Sequence, residues 1–292
     1  MDKTTLENEL LLVEVDAHGA ELVRIYDKKR GREVLWDAKP EIWPRHAPIL
    51  FPFVGNCFEG KYQYKGTFYP MTAHGFARDH EFTLVSATDT EVWYEFHDSE
   101  KTYENYPFHF SLQLGHRLEG NQIHVMWKVV NTDSKELLFM IGGHPAFVTP
   151  EGHDIYDFTF KFDCQTPLHY QAPNDLGYGD AAKQGTLDLK NGEIPLTKGF
   201  FDEVLTYIFD DAQVNSVSLL LPGEEPYVTV HCKDIPLLGV WTKEETHPFV
   251  CLEPWFGRCA DQGFDGELED RAGVNKLETG KTFQAEYVIE IH

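Results

Sequence analysis

Apolar residues in this chain recur mostly at every second position, or in short runs of β-branched and aromatic residues, and both patterns predict strands. Leu10–Val15 and Ala20–Tyr26 alternate on either side of His18-Gly19 and predict an opening hairpin. Lys61–Tyr64 and Thr67–Met71 predict a second hairpin about Lys65-Gly66. Glu81–Ser86 and Glu91–Phe96 follow, joined by Ala87–Thr90, and then long strands over Phe108–Leu118 and Gln122–Val130 about Glu119-Gly120-Asn121. Leu137–Ile141, Tyr156–Phe162, Val214–Leu221, Tyr227–His231, Leu237–Trp241, Phe249–Leu252 and Phe283–Ile291 bring the total to about fifteen strands. Helical spacing is nearly absent. Ser99–Tyr106 predicts a turn or two before Pro107, and Asp261–Arg271 another. Antiparallel strands in this number bury one face each only by stacking as two sheets or closing a barrel. No fixed-period repeat supports a propeller. The expectation is an all-β fold, a large antiparallel β-sandwich forming a single domain over residues 1–292 without a linker. Thr166–Phe200, rich in Gly, Pro, Asn and Asp, is expected to run as a long surface excursion and to form the rim of a site.

Length and composition support this expectation. A chain of 33.6 kDa folds to roughly 13,000 Å² of surface from roughly 49,000 Å² unfolded, ample burial for a core. A chain that is 42% hydrophobic and 25% charged is globular rather than disordered. Charge excludes more. Lys plus Arg is 25 and Asp plus Glu is 48, so the balance is 25 − 48 = −23. Such a surface repels nucleic acid and anionic membranes, and neither is an expected partner. A small anionic ligand stays open, because a local pair of arginines overcomes a screened distant field. The five cysteines are odd in number and include no Cys-x-x-Cys pair, which argues against a disulfide framework and a zinc knuckle. The opening apolar run is too short for a signal peptide, and no stretch approaches the roughly 20 apolar residues of a membrane span. A reducing, cytoplasmic location is expected. Exposed sheet edges are compatible with a monomer or a homodimer.

Four short stretches set polar groups inside apolar, Gly- and Pro-rich frames. In Arg45-His-Ala-Pro-Ile-Leu-Phe-Pro-Phe-Val-Gly55, prolines and a glycine pin an irregular backbone behind Arg45, whose nearest acidic neighbour in sequence is Glu41. In His74-Gly-Phe-Ala-Arg78, the glycine allows close backbone approach, so that His74 and Arg78 can aim at one ligand. In Gly142-Gly-His144-Pro-Ala-Phe147, a histidine held at a strand end suits proton transfer near neutral pH. In Cys251-Leu-Glu253-Pro-Trp-Phe-Gly257, a carboxylate among aromatic residues has a raised pKa unless hydrogen-bonded and can serve as a base, while flat rings suit the apolar faces of a sugar. Each also has a bland reading: surface arginines, a core histidine, a glutamate at a loop start. Gly-x-Ser-x-Gly, P-loop, dinucleotide-binding and His-Glu-x-x-His motifs are absent, so neither a cofactor nor a metal is expected despite fourteen histidines.

Taken together and in order, RHAPILFPFVG, HGFAR, YPFHF at Tyr106–Phe110, GGHPAF, LEPWFG and LETGKTF at Leu277–Phe283 resemble the aldose 1-epimerase (mutarotase) family, and its LacX-like branch in particular. The resemblance spans nearly the whole chain. It implies a β-sandwich with a sugar cleft on one sheet, a cofactor-independent isomerase, and a small-molecule sugar, a hexose or hexose phosphate, as partner. It implies roles for residues: His144 as general acid on the ring oxygen, Glu253 as general base on the anomeric hydroxyl, and His74 and Asp202 (in Gly-Phe-Phe-Asp-Glu-Val) as substrate-binding groups. Two departures matter. Asn56 stands near where galactose mutarotases carry an arginine. Arg45 with Arg78 resembles the hexose-6-phosphate epimerase branch, in which the corresponding arginines meet the phosphate, as planar bidentate donors suit an anion. Arg78 could equally pair with a structural carboxylate, Asp79 or Glu81. A glycoside hydrolase, with Asp202 as second carboxylate, and a non-catalytic carbohydrate-binding protein of the same fold are the competing readings.

Overall fold

A computed structural model describes residues 3–164, 167–223, 225–243 and 248–292. Its dominant feature is a pair of large antiparallel sheets, as the alternation predicts. One has nine strands in the order Glu193–Pro195, Thr159–Phe162, Ser216–Leu221, Glu225–His231, Thr282–Ile291, Gln122–Asn131, Phe110–Glu119, Glu91–His97, Thr83–Ala87. The other runs Gly179–Leu187, Leu168–Pro173, Thr206–Phe209, Leu237–Trp241, Phe249–Phe256, Ile141–Gly143, Ile49–Leu50, with Ala146–Val148 also paired to Phe249–Phe256. The opening hairpin belongs to a separate four-stranded sheet, Lys3–Glu7 to Arg32–Glu33.

The inner faces meet in one continuous apolar core. Rings mark the junction: Phe162 lies 5.4 Å from Phe209 and Phe256 lies 5.0 Å from Phe283, one of each pair from each sheet. Alternation explains who faces whom. On the strand Gln122–Asn131, Ile123, Val125, Trp127 and Val129 are buried while the intervening residues are half-exposed. Burial of this kind contributes about 25 cal/mol per Å² and dominates the stability of the sandwich.

Several local expectations change. Thr166–Phe200 is not a bare loop. Its first residue lies outside the described residues, but beyond it Leu168–Pro173, Gly179–Leu187 and Glu193–Pro195 form strands, the last two at sheet edges and the first between Gly179–Leu187 and Thr206–Phe209. The two edge strands escape an alternation reading because neither has a buried residue, so no apolar face shows, and their glycines and prolines are tolerated there. Leu137–Ile141 breaks at Met140 into Leu137–Phe139 and Ile141–Gly143, which pair with different partners. Tyr156–Phe162 begins as a 3₁₀ turn, Ile155–Asp157, before the strand Thr159–Phe162. The helix Glu100–Asn105 forms with a Ser99–Thr102 capping box, whereas Asp261–Arg271 yields only the 3₁₀ turn Leu268–Asp270.

One glycine illustrates how tightly the loops are set on the sandwich. Gly75 has φ +73°, and a Cβ there would lie 2.3 Å from the Phe51 carbonyl oxygen and 2.6 Å from the Pro52 nitrogen. Backbone atoms cannot swing aside as a side chain can. Gly280, at φ +71°, has nothing within 4 Å of such a Cβ. We therefore expect Gly280→Ala to cost only the left-handed strain, about 1 kcal/mol. Gly75→Ala adds a backbone clash and should cost about 3 kcal/mol or more. Urea unfolding of the two variants checks this, and equal losses would contradict it.

Candidate functional site

The register of two strands builds the centre of the site. Ile141 and Gly142 pair with Phe256 and Trp255, and Ala146 pairs with Cys251, in one uninterrupted antiparallel count. That count sets His144 directly across from Glu253. Pro145 interrupts the ladder there, although its carbonyl still accepts the Leu252 amide. On the other side Glu253 pairs with Gly239. Because side chains alternate, Cys251, Glu253 and Trp255 share the face turned away from the core, while Val250 and Leu252 point into it.

The glycines of this register make room for a tryptophan. A Cβ on Gly142 would stand 2.5 Å from the Trp255 ring, and one on Gly239 would also stand 2.5 Å from it. The Trp255 indole thus lies over two glycines and forms part of the floor. Above it opens a cleft of about 470 Å³. Its walls come from Trp43–Arg45, Val54–Asn56, Ala73, His74 and Arg78, with Trp241, Thr206 and Ile208 from the sheet.

The structure brings together His144, Glu253, His74, Arg45 and Arg78 in this cleft, as the motifs suggest. His144 Nε2 stands 3.0 Å from Glu253 Oε2, with the side chains 8% and 1% exposed. The approach is close but not aligned as a hydrogen bond, and Oε2 and His144 Nδ1 have no hydrogen-bond partner among the described residues. Burial pushes the Glu253 carboxyl well above the usual carboxylate range, only partly offset by Trp255. Burial pushes His144 well below the usual imidazole range, and His74, Arg78 and Arg45 add to this. Both effects favour the neutral forms, so in the resting pair the proton sits on the Glu253 carboxyl and not on the imidazole. The His144 ring also has Trp43 and Trp241 at 5.1 Å and 5.3 Å between centroids.

His74 sits in the left-handed region at φ 64°, where it is held by backbone bonds with Gly55 and Phe51. Its Nδ1 accepts the Gly55 amide at 3.2 Å, so its proton resides on Nε2. The Gly55 loop is fixed in turn by Arg271, a buried guanidinium that donates to the carbonyls of Val54, Asn56 and Arg258 and to Cys57 Sγ. Arg45 donates to Asp79 at 2.7 Å. That pairing also answers the question about Arg78. Among the described residues Arg78 pairs with neither Asp79 nor Glu81. It donates to the Ala73 carbonyl at 2.7 Å, and its Nε is buried without a partner. Burial and the neighbouring Arg45 push its pKa down to about 10.

Asp202 does not join them. It is exposed and is not among the residues lining the cleft. The physical reason is local. Phe200 and Phe201 are drawn inward onto Phe160 and Tyr207, which turns the following Asp202 outward, and the next strand reaches the cleft with Thr206 and Ile208. Asn56, the site of the departure from galactose mutarotases, lines the cleft and donates to the carbonyls of Leu176 and Gly177. Sequence reasoning missed Trp43, Trp241 and Arg271. Trp43 stands only two residues before Arg45 and Trp241 closes an apolar strand, so both carried a signal. Nothing in the spacing around Arg271 reveals what it holds.

Comparison with known proteins gives the family of the chain. The chain matches the family model of aldose 1-epimerase over residues 2–258. It is 30% identical over 302 aligned residues to a chromosomal LacX protein from Lactococcus lactis subsp. lactis, with 98% of each chain covered. Among solved structures it is similar to a galactose mutarotase related enzyme from Lactobacillus acidophilus, at 32% identity and TM-score 0.93, covering 100% of this chain and 97% of that one. It is also similar to a galactose mutarotase-like protein from Lactobacillus casei ATCC 334, at 27% identity and TM-score 0.91, with 100% of both chains covered.

The environment of His74 yields a measurable expectation. Burial first, then Arg78 and Arg45, lower its pKa to about 3. It should stay neutral with the proton on Nε2 from about pH 8 to about pH 5, where a free histidine titrates. Imidazole ¹⁵N spectra across this range test that, and a titration near the free value would contradict it. The sign for stability follows. Below about pH 6.5 the unfolded chain takes up a proton here that the folded chain refuses, so this contribution is lost as pH falls toward the folded value.

Proposed function

Because the chain belongs to the aldose 1-epimerase family, we propose that it interconverts the α and β anomers of a hexose in this cleft, by acid–base ring opening and closing without a cofactor. The observation that carries the reading is the 3.0 Å approach of His144 to Glu253 on adjacent strands. The two oxygens of a hemiacetal, O1 and the ring oxygen, sit on one carbon. The groups that serve them must therefore be neighbours. Glu253 takes the O1 proton while protonated His144 gives its proton to the ring oxygen, and the bond from C1 to the ring oxygen breaks. The aldehyde turns about its bond to C2. The ring then closes on the other carbonyl face, with His144 taking the proton back from the ring-forming hydroxyl and Glu253 returning one to O1. Moving the carboxyl proton of the resting pair onto the imidazole readies both roles: His144 is then the acid and Glu253 the base. The donor Nε2–H of His74 binds a sugar oxygen, and the indoles of Trp43, Trp241 and Trp255 suit the apolar faces of the ring.

A glycoside hydrolase fits less well. It needs a second carboxylate about 5 to 9.5 Å from the first. Among the described residues that line the cleft, Glu253 is the sole carboxylate. The phosphorylated form of the substrate has specific support. Arg45 and Arg78 both reach the cleft, and the half-buried Arg78 has no carboxylate partner among the described residues. An anionic group on the sugar would supply one. A cytoplasmic location belongs to the same reading and is supported by five free cysteines.

Polarimetry on freshly dissolved α-galactose and α-glucose, with a coupled assay on glucose 6-phosphate, tests the reading. His144→Ala and Glu253→Gln should each lower kcat by about 10²- to 10⁴-fold. A Glu253→Gln variant at full rate would overturn the assignment of the base. A wild type that binds sugar yet accelerates no anomerisation would make this a binding protein of the same fold.

Arg78→Met should raise KM for the phosphorylated sugar by about tenfold or more, the value of one charge-assisted hydrogen bond. KM for the neutral sugars should change little. Equal effects on both would assign Arg78 a structural role.

A further inference from the structure

Cys251 takes no part in the chemistry above, yet it stands beside both groups that do. It lies two residues before Glu253 on the same face of the strand, and Ala146, two residues after His144, is its partner across the ladder. Ligand atoms of His144, Cys251 and Glu253 all lie within 4.8 Å of one another, and all three residues are buried. We propose that these three side chains, His144 and Glu253 from the cleft lining and Cys251 from behind it, form a binding site for zinc, or a divalent cation of similar character, and that the ion competes with the sugar.

The donor set selects the class of ion. Imidazole, thiolate and a single carboxylate suit zinc, which bonds such ligands at about 2.0 to 2.3 Å. Two donors on one tetrahedral zinc then stand about 3.3 to 3.7 Å apart, so side-chain rotations must draw the widest pair of this set together by about 1 Å. Calcium and magnesium demand several oxygens and find one residue here that offers them. An unpartnered atom points the same way. Glu253 Oε2, which faces His144 Nε2, is buried without a hydrogen-bond partner among the described residues. A buried acceptor left unsatisfied costs about 1 to 3 kcal/mol, which a coordinated ion would relieve. Charge also balances, because a thiolate and a carboxylate neutralise a divalent ion at a site where a lone charge is expensive. On binding, the Cys251 thiol proton and the Glu253 carboxyl proton leave to solvent. Arg45 and Arg78 on the walls oppose the cation, which limits its affinity. Three protein ligands leave a further position open toward the cleft. Competition with the sugar rests on the proposed function, because the ion takes the two groups assigned to acid and base; binding itself does not.

The test reads the metal directly on the whole chain, stripped with chelator and titrated with cobalt(II) and then zinc. One equivalent of cobalt(II) should give the near-ultraviolet charge-transfer band of a cobalt thiolate, and zinc should bleach it. In calorimetry, Cys251→Ser and Glu253→Gln should each weaken zinc by more than about tenfold, the lower end of what even an outer-shell partner is worth. Cys251→Ser should also abolish the band. Absence of the band in the wild type would overturn the site, and so would its persistence in Cys251→Ser or unchanged zinc affinity in both variants. None of these readouts uses activity, so a protein without mutarotase activity leaves the site standing. Zinc that binds at Cys251 while mutarotation continues at full rate would overturn the competition.

Discussion

Everything at the functional centre depends on one antiparallel register. The count that pairs Gly142 with Trp255 and Ala146 with Cys251 sets His144 opposite Glu253. A slip of Phe249–Phe256 by one residue would turn Glu253 into the core and its apolar neighbours into the cleft. The register is protected from slipping because the other face of the same strand carries Val250 and Leu252 into the main core. The packing that stabilises the sandwich therefore also fixes the geometry of the acid and the base. No flexible loop has to find that geometry when a sugar arrives, which is the preorganisation that proton transfer rewards.

The same burial controls the electrostatics. Glu253 and His144 are each pushed toward neutrality, and they stand 3.0 Å apart. Around them the sign of the surface reverses. The chain carries a net charge of −23, yet the cleft wall holds Arg45 and Arg78 and is lined by a single carboxylate among the described residues. Charge concentrated locally against the overall balance is costly unless something uses it. The Arg78 Nε, buried and unpartnered, shows where that cost remains.

How much of this was legible in the sequence follows from how each feature is encoded. The strands that face the core alternate cleanly and could be read, as on Gln122–Asn131. The edge strands Gly179–Leu187 and Glu193–Pro195 could not, because neither has a buried residue and so no apolar face marks them. His144, Glu253, His74 and the two arginines were marked by Gly and Pro frames that have little use elsewhere. Asp202 was chosen by resemblance, and the inward pull of Phe200 and Phe201 turned it away from the cleft. Arg45 illustrates a second limit. Its partner Asp79 lies 34 residues away, so no local reading could pair them or tell that Arg78 was left without a carboxylate.

The glycines of the GGH stretch show why the sequence signal was so local. Gly142 is small because the Trp255 ring lies against it, and Gly239 is small for the same reason on the opposite strand. Either Cβ would meet that ring at 2.5 Å, and a floor pushed up by such a contact would enter the space a sugar needs. Gly143 is small for a different reason: its Cβ would meet the Tyr287 hydroxyl from the facing sheet at 2.7 Å. The two adjacent glycines therefore serve opposite faces of one sheet, the first shaping the cleft floor and the second letting the sheets close. His144 follows them at the one point on this strand where both requirements have been met, and it is there that a titrating side chain can stand across from a buried carboxylate.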